Sequence, residues 1–207
     1  IRYTLDGSEP TAASPRYTGP VEIGKSARFR ATALREGGEN ASYSREFAFS
    51  KSTGRPAVLN TKPNDSYTFE GASLLVDGYH SRPVFTSGAW LGYLDEPLDV
   101  TIDMGGEQSY RSVELETLAE KGDWIFPPSS VTVWVSDNGT DFTEVASVTV
   151  PEAKVGDADG IGRYRMQFPE TSARYLKVVA QNAAAIPAWH PGAGSKGFLF
   201  VDEVVVE

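Results

Sequence analysis

Cysteine is absent from all 207 residues. That excludes disulfides and thiolate-bound zinc outright. Histidine occurs only twice, at His80 and His190, a spacing that matches no metal-ligand pattern. No apolar run approaches the roughly 18–20 residues that span a bilayer. Positive charge is in the minority: 19 Lys and Arg stand against 28 Asp and Glu, a net charge of −9. Such a surface repels phosphate backbones and acidic membranes, so neither nucleic acid nor a membrane is an expected partner. Sustained helical periodicity is missing as well. No secretory signal peptide is visible. Ile1 falls inside a strand-like stretch, so the chain reads as a fragment of a longer protein.

What is present is the rhythm of an all-β protein. Hydrophobic residues make up 40% of the chain, enough for one or two cores. The pairs Gly37-Gly38, Gly105-Gly106 and Pro127-Pro128 punctuate it. Arg2-Tyr3-Thr4-Leu5 reads as a strand, with Asp6-Gly7 as its turn. Residues 27–33 and 43–49 alternate polar and apolar, as half-buried strands do. About four strands before residue 50 are too few for a robust sandwich. Residues 51–56 hold no apolar residue except Pro56 and read as a linker. Beyond them, residues 98–103, 131–136, 142–150, 163–168 and 174–180 continue the alternation. Residues 198–206 are nearly all apolar and read as a central strand buried on both faces. Short strands without helices predict a β-sandwich or jelly roll. Asn-x-Ser/Thr sequons at Asn40, Asn64 and Asn138 matter only in a eukaryotic source, which is not the expected one.

Two stretches resemble known families. Tyr3-Thr4-Leu5-Asp6-Gly7-Ser8-Glu9-Pro10-Thr11, followed by Ser14, Tyr17 and Pro20, is similar to the C-terminal domain of chitobiases and β-hexosaminidases, an immunoglobulin-like sandwich. The second stretch holds five motifs in order. These are Leu75-Val76-Asp77-Gly78, Val100-Thr101-Ile102-Asp103-Met104-Gly105, Val135-Ser136-Asp137-Asn138-Gly139, Ala173-Arg174-Tyr175-Leu176-Lys177 and Val201-Asp202-Glu203. They resemble the discoidin-like, coagulation factor 5/8 type C domains, whose sugar-binding branch is carbohydrate-binding module family 32. The resemblance implies an all-β chain: a truncated immunoglobulin-like domain at 1–50, a linker at 51–56 and a galactose-binding-like jelly roll at 57–207. Together the stretches look like the tail of a bacterial family 20 β-N-acetylhexosaminidase. That implies a secreted, periplasmic or cell-surface protein whose catalytic barrel lies upstream and contacts this tail. A structural tail without ligand, or a protein-adhesion module, are the other readings.

Catalysis within the chain is not expected. Asp202-Glu203 matches the adjacent acid pair of that barrel. It lies in a strand, however, where neighbouring side chains point to opposite faces. Gly192-x-Gly194-x-x-Gly197 precedes a strand rather than a helix and offers no phosphate cradle. Asp157-x-Asp159-Gly160 is half a calcium loop without its remaining ligands.

A sugar site needs an aromatic platform for C–H faces and fixed polar groups for hydroxyls. The candidates are Trp189 and His190, flanked by Pro187, Pro191 and three glycines, then Trp124, Trp90, His80 and Arg82. Asn182 supplies a further matching residue type. The implied ligand is a galactose- or N-acetylhexosamine-type glycan. The resemblance also implies one structural calcium, with side-chain oxygens from Asp77 and Glu203 and carbonyls from residues 77–81; hard oxygen donors suit that ion. The alternative is a plain turn at Asp77-Gly78 and a solvated or capping Glu203.

Overall fold

The computed structural model describes residues 1–34 and 41–207. The Gly37-Gly38 pair and the Asn40 sequon lie outside the described residues. Two compact units emerge. Ile1–Phe49 with Gly78–His80 forms one, and Ser50–Asp77 with Ser81–Glu207 forms the other.

The first unit holds three antiparallel strands in the order β1 (Arg2–Thr4), β2 (Ala27–Ala33), β3 (Ala41–Phe47). The turn after β1 forms as the Asp-Gly pair predicts. Asp6 Oδ1 accepts from the Ser8 N–H at 3.0 Å, and Gly7 takes φ +81°. Tyr3, Phe29 and Tyr43 form a ladder across the sheet, with centroids 5.9 and 6.3 Å apart. Gly78–His80 packs here: the Arg45 guanidinium lies 3.5 Å over the Tyr79 ring.

The second unit contains β4 (Ala57–Leu59), β5 (Leu91–Tyr93), β6 (Leu98–Ala119), β7 (Ser130–Ser136), β8 (Thr143–Thr149), β9 (Gly160–Gln181) and β10 (Leu199–Val206). They run β5-β10-β6-β9-β7-β8, with β4 also pairing β6, and every pairing is antiparallel. β6 and β9 are far longer than ordinary strands. Register shifts between Asp103 and Gln108, and between Tyr110 and Ser112, interrupt their pairing. Such bulges bend a strand. The first part of β6 therefore lies between β4 and β9, and its last part between β10 and β9. One hydrogen-bonded surface thus folds over on itself around a core.

That core is the inward set of each alternating strand: Leu98, Val100 and Ile102, then Val131, Val133 and Val135, then Leu176, Val178 and Ala180. Trp134 lies on the other face of β7 and is half-buried. β10 sits between β5 and β6 with nearly every residue buried, as its continuous apolar run implies. Its pairing with β6 shifts register between Val201 and Val204, and Asp202 and Glu203 are both buried there.

Several features escape the sequence reading. β4 and β5 are three residues each, too short to show a period. Residues 51–56 are no free spacer: Ser52 is fully buried and its hydroxyl donates to the Val204 carbonyl at 2.5 Å, so the segment is a turn anchored on β10. Helix content among the described residues is limited to four short 3₁₀ turns. None of them is long and apolar enough to cross a membrane.

Candidate sugar-binding site

Three connections meet where β6 ends, β9 begins and β10 begins. They are residues 120–129, 150–159 and 182–198. Non-local pairing brings them together: Ala119 faces Gly160, and Leu118 faces Phe200.

The first connection is a tight loop. The Glu120 and Ile125 backbones bond each other in both directions, at 3.1 and 3.2 Å, and the Trp124 N–H donates to the Lys121 carbonyl at 3.0 Å. Lys121 is buried. Its ammonium bonds Asp159 and the Ala158 carbonyl, which ties the loop to the second connection. That pairing holds the Asp159 carboxyl below its ordinary range, the Lys121 hydrogen bond being the main cause. Asp157 accepts from the Lys154 N–H. The pair resembling half a calcium loop thus braces this end. Closing so short a loop drives Trp124 to φ +64°. Among the described non-glycine residues only Phe69 shares a positive φ. A bulky side chain there stores roughly 1–3 kcal/mol of strain, which persists only when its surroundings over-determine it.

The third connection closes on itself. The Ile186 N–H donates to the Ser195 carbonyl at 2.8 Å, and the Gly194 N–H to the Ile186 carbonyl at 3.0 Å. It presents Trp189 and His190. The His190 imidazole is only 9% exposed, and its Nδ1 accepts from the Gly192 N–H at 3.1 Å. In the neutral ring the proton therefore sits on Nε2. Three aromatic rings stand nearly perpendicular to this imidazole: Phe126 at 5.5 Å, Trp189 at 5.6 Å and Trp124 at 6.1 Å. Edge-to-face packing of this kind is favourable and directional. Trp189 remains 38% exposed and Trp124 41%. The Trp189 indole N–H donates to the Ala153 carbonyl at 2.9 Å, which locks the ring. A further lock is Gly192, where a Cβ would lie 2.8 Å from Trp124 Cζ2. Gly192→Ala is expected to push the Trp124 ring aside with little loss of stability. Trp124 fluorescence, isolated in a background with the other tryptophans replaced by Phe, would report the shift; an unchanged spectrum would count against this docking.

Of the sequence candidates, then, Trp124, Trp189 and His190 converge, with Phe126 as a fourth member that sequence reasoning missed. Its signal was Phe126 set directly before Pro127-Pro128. Trp90 is a correction. It is fully buried with Leu118, Ile125 and Phe200, and its indole N–H donates to the Arg82 carbonyl at 3.0 Å. No face is left for a ligand. Arg82 is exposed, and its backbone serves as the Trp90 strut. His80 is half-buried and belongs to the first unit. Asn182 is also a strut, its amide donating to the Tyr93 and Leu94 carbonyls at 3.1 and 3.3 Å.

The acidic positions lie elsewhere in the second unit. Glu203 is fully buried and Asp202 nearly so. Burial pushes the Asp202 carboxyl up to about 7 even though the Ser81 N–H and hydroxyl both donate to it; Glu116 and Asp77 add to the rise. Three carboxylates, Asp202, Glu116 and Asp77, thus influence one another, and Glu116 is itself paired with Arg163. Among the described residues no three His, Cys, Asp or Glu side chains converge as a metal group. Any ion there would draw on backbone or water oxygens besides Asp77 and Glu203.

No curated protein matches the chain. Solved structures similar to it include a chitosan-binding module in complex with chitotriose, from a chitosanase/glucanase of Paenibacillus sp. IK-5. It is 18% identical, with 76% of this chain and 98% of that one covered and a TM-score of 0.49. A Streptococcus pneumoniae fucose binding module is 22% identical over 76% and 94%, with a TM-score of 0.47. The Clostridium perfringens module CpGH89CBM32-5, in complex with GalNAc-β-1,3-galactose, is 16% identical over 73% and 93%, with a TM-score of 0.48. The family model for the chitobiase/beta-hexosaminidase C-terminal domain matches residues 1–45. The F5/8 type C domain model matches residues 60–196, well over half of the chain, and the chain belongs to that family.

Proposed function

We propose that the second unit is a non-catalytic sugar-binding module that contacts terminal galactose- or N-acetylhexosamine-type sugars through Trp124 and Trp189. The observation that carries this reading is the pair of half-exposed indoles, fixed by non-local contacts around a buried imidazole, one of them on strained backbone. Backbone strain of this kind clusters at ligand-binding sites, and a fixed aromatic face suits the C–H face of a sugar. Membership of the F5/8 type C family supports the same reading. A single shallow site buries little area, so affinity on the order of millimolar is expected.

The match over residues 1–45 supports a larger setting. In it the chain is the accessory tail of a secreted or cell-surface bacterial β-N-acetylhexosaminidase, with residues 1–50 a partial immunoglobulin-like domain and 57–207 the module. The tail would hold an upstream catalytic domain near its glycan. A structural calcium belongs to the same proposal, with Glu203 and Asp77 as its side-chain ligands. When bound, it would neutralise carboxylate charge and tie Glu203 of β10 to Asp77.

The test is a glycan array probed with the whole chain and with Trp189→Ala. Binding to galactose- or N-acetylhexosamine-terminated glycans is expected, falling at least ten-fold in the variant, as for removal of an aromatic anchor. The variant loses the hydrogen bond to Ala153 and the ring's packing on Phe126 and His190, so its thermal midpoint should fall modestly, and binding is compared well below it. Absence of binding to any glycan would favour the structural tail, a reading that the Trp189–Ala153 hydrogen bond also fits.

A further inference from the structure

We infer that the cleft bordering Trp189 is an acyl subsite, which takes the 2-acetamido group of an N-acetylhexosamine; the assignment rests on the sugar-binding reading above. The cleft encloses about 320 Å³ between residues 126–129, 150–153 and 183–188. It adjoins the aromatic cluster at two points. Phe126 lines it and packs on Trp189 at 6.4 Å, and Ala153, another lining residue, accepts the Trp189 indole N–H.

Its chemistry is selective. Pro127, Pro128, Val150 and Pro151 make the walls, and Ala183, Ala184 and Ala185 leave the space open. Glu152 is the one charged side chain in the lining. A sugar hydroxyl entering this cleft finds a partner only at Glu152 or Ser129 and gains nothing from the apolar walls, where it loses water at a cost in free energy. An acetamido methyl has no such cost and gains burial. The adjoining amide N–H is a donor, and the Glu152 carboxylate at the lining is an acceptor for it. An acidic substituent would meet Glu152 and a chain of net charge −9. A 2-ammonium group would suit the carboxylate but would have to shed water against the apolar walls, so a neutral N-acyl group is the substituent that satisfies both.

The experiment is a chemical-shift titration of the whole chain with N-acetylglucosamine and N-acetylgalactosamine, against the matching 2-hydroxy and 2-amino sugars. Saturation-transfer spectra would be recorded alongside. N-acetyl sugars should bind about four-fold tighter than their 2-hydroxy counterparts, the effect of burying one methyl group. The acetamido methyl should receive the strongest saturation. Ala184→Leu, at an exposed position, should reduce N-acetyl sugars to parity while leaving the 2-hydroxy sugars and the thermal midpoint unchanged. Equal affinity for N-acetyl and 2-hydroxy sugars in the native chain would overturn the acyl subsite and leave the sugar-binding reading intact. So would a preference for the 2-amino sugar, or an unchanged preference in Ala184→Leu. If no sugar binds at all, the broader reading fails, and the subsite with it.

Discussion

Trp90→Ala is expected to lower the unfolding free energy of the second unit by about 3–5 kcal/mol, the range for a buried aromatic truncated to alanine. Trp90 is fully buried among Leu118, Ile125 and Phe200, with Tyr67, Phe85 and Phe198 packed around them. Phe200 fills the gap toward Tyr67, at 4.7 Å between centroids, and little nearby is free to collapse into the void. The Arg82 carbonyl also loses its donor. For a unit of this size the loss corresponds to a fall in thermal midpoint of roughly 10 °C. Trp90→Phe keeps most of the volume and should cost less than half as much. Calorimetry of both variants decides the matter. A binding platform would behave oppositely: truncation would abolish sugar binding at an unchanged midpoint. That outcome would sink the core assignment.

The error over Trp90 shows where sequence reading stops. Trp90, Trp124 and Trp189 all stand in stretches dense with glycine and polar residues, and local pattern treats them alike. What separates them is non-local. Trp90 precedes β5, whose three residues pair with β10 and pull the indole beneath Phe200. Trp124 stays at the surface because its loop closes within six residues and hands its carbonyl to the Phe198 N–H. No period in residues 120–126 encodes that bond. The strands at 131–136 and 142–150 were legible because alternation over six or more residues fixes a buried face, whereas only 98–103 of β6 was read and β9 was read as two strands, 163–168 and 174–180, since the pairing that continues each across its bulges is non-local. The hairpin at Asp137-Asn138-Gly139 was legible too. Asn138 Oδ1 accepts from the Thr140 and Asp141 N–H groups, and Gly139 takes φ +75°, chemistry local to the turn. β10 was half legible. Its apolar run announced a central strand, whereas the register shift at Asp202 and Glu203, beside which both are buried, depends on β6.

Calcium added to chelator-treated chain is expected to stabilise the second unit by about 2.7 kcal/mol at a hundred times its dissociation constant, as linkage requires of any ligand of the native state alone. A carboxylate taken out of water must be paired, hydrogen-bonded, protonated or bound to a cation. Asp202 uses two of these devices: the Ser81 N–H and hydroxyl donate to it, and its proton is held up to about 7. Glu203 is its neighbour, with no exposed surface and with contacts of its own, and Asp77 lies close enough to add to the Asp202 rise. A divalent cation bound by Glu203 and Asp77 would offset the like charge that Asp77 brings to Asp202. Magnesium should not substitute, since it dehydrates reluctantly and demands a rigid octahedron, whereas calcium accepts irregular oxygen sets. Glu203→Gln keeps the shape and removes the charge, and should abolish the response. Asp202→Asn, whose partner is Ser81, should retain it. The reading is sunk if scanning calorimetry gives the native chain one midpoint in chelator and in millimolar calcium. Glu203 would then be stabilised by protein contacts alone, and β10 would hold its acidic pair without a metal.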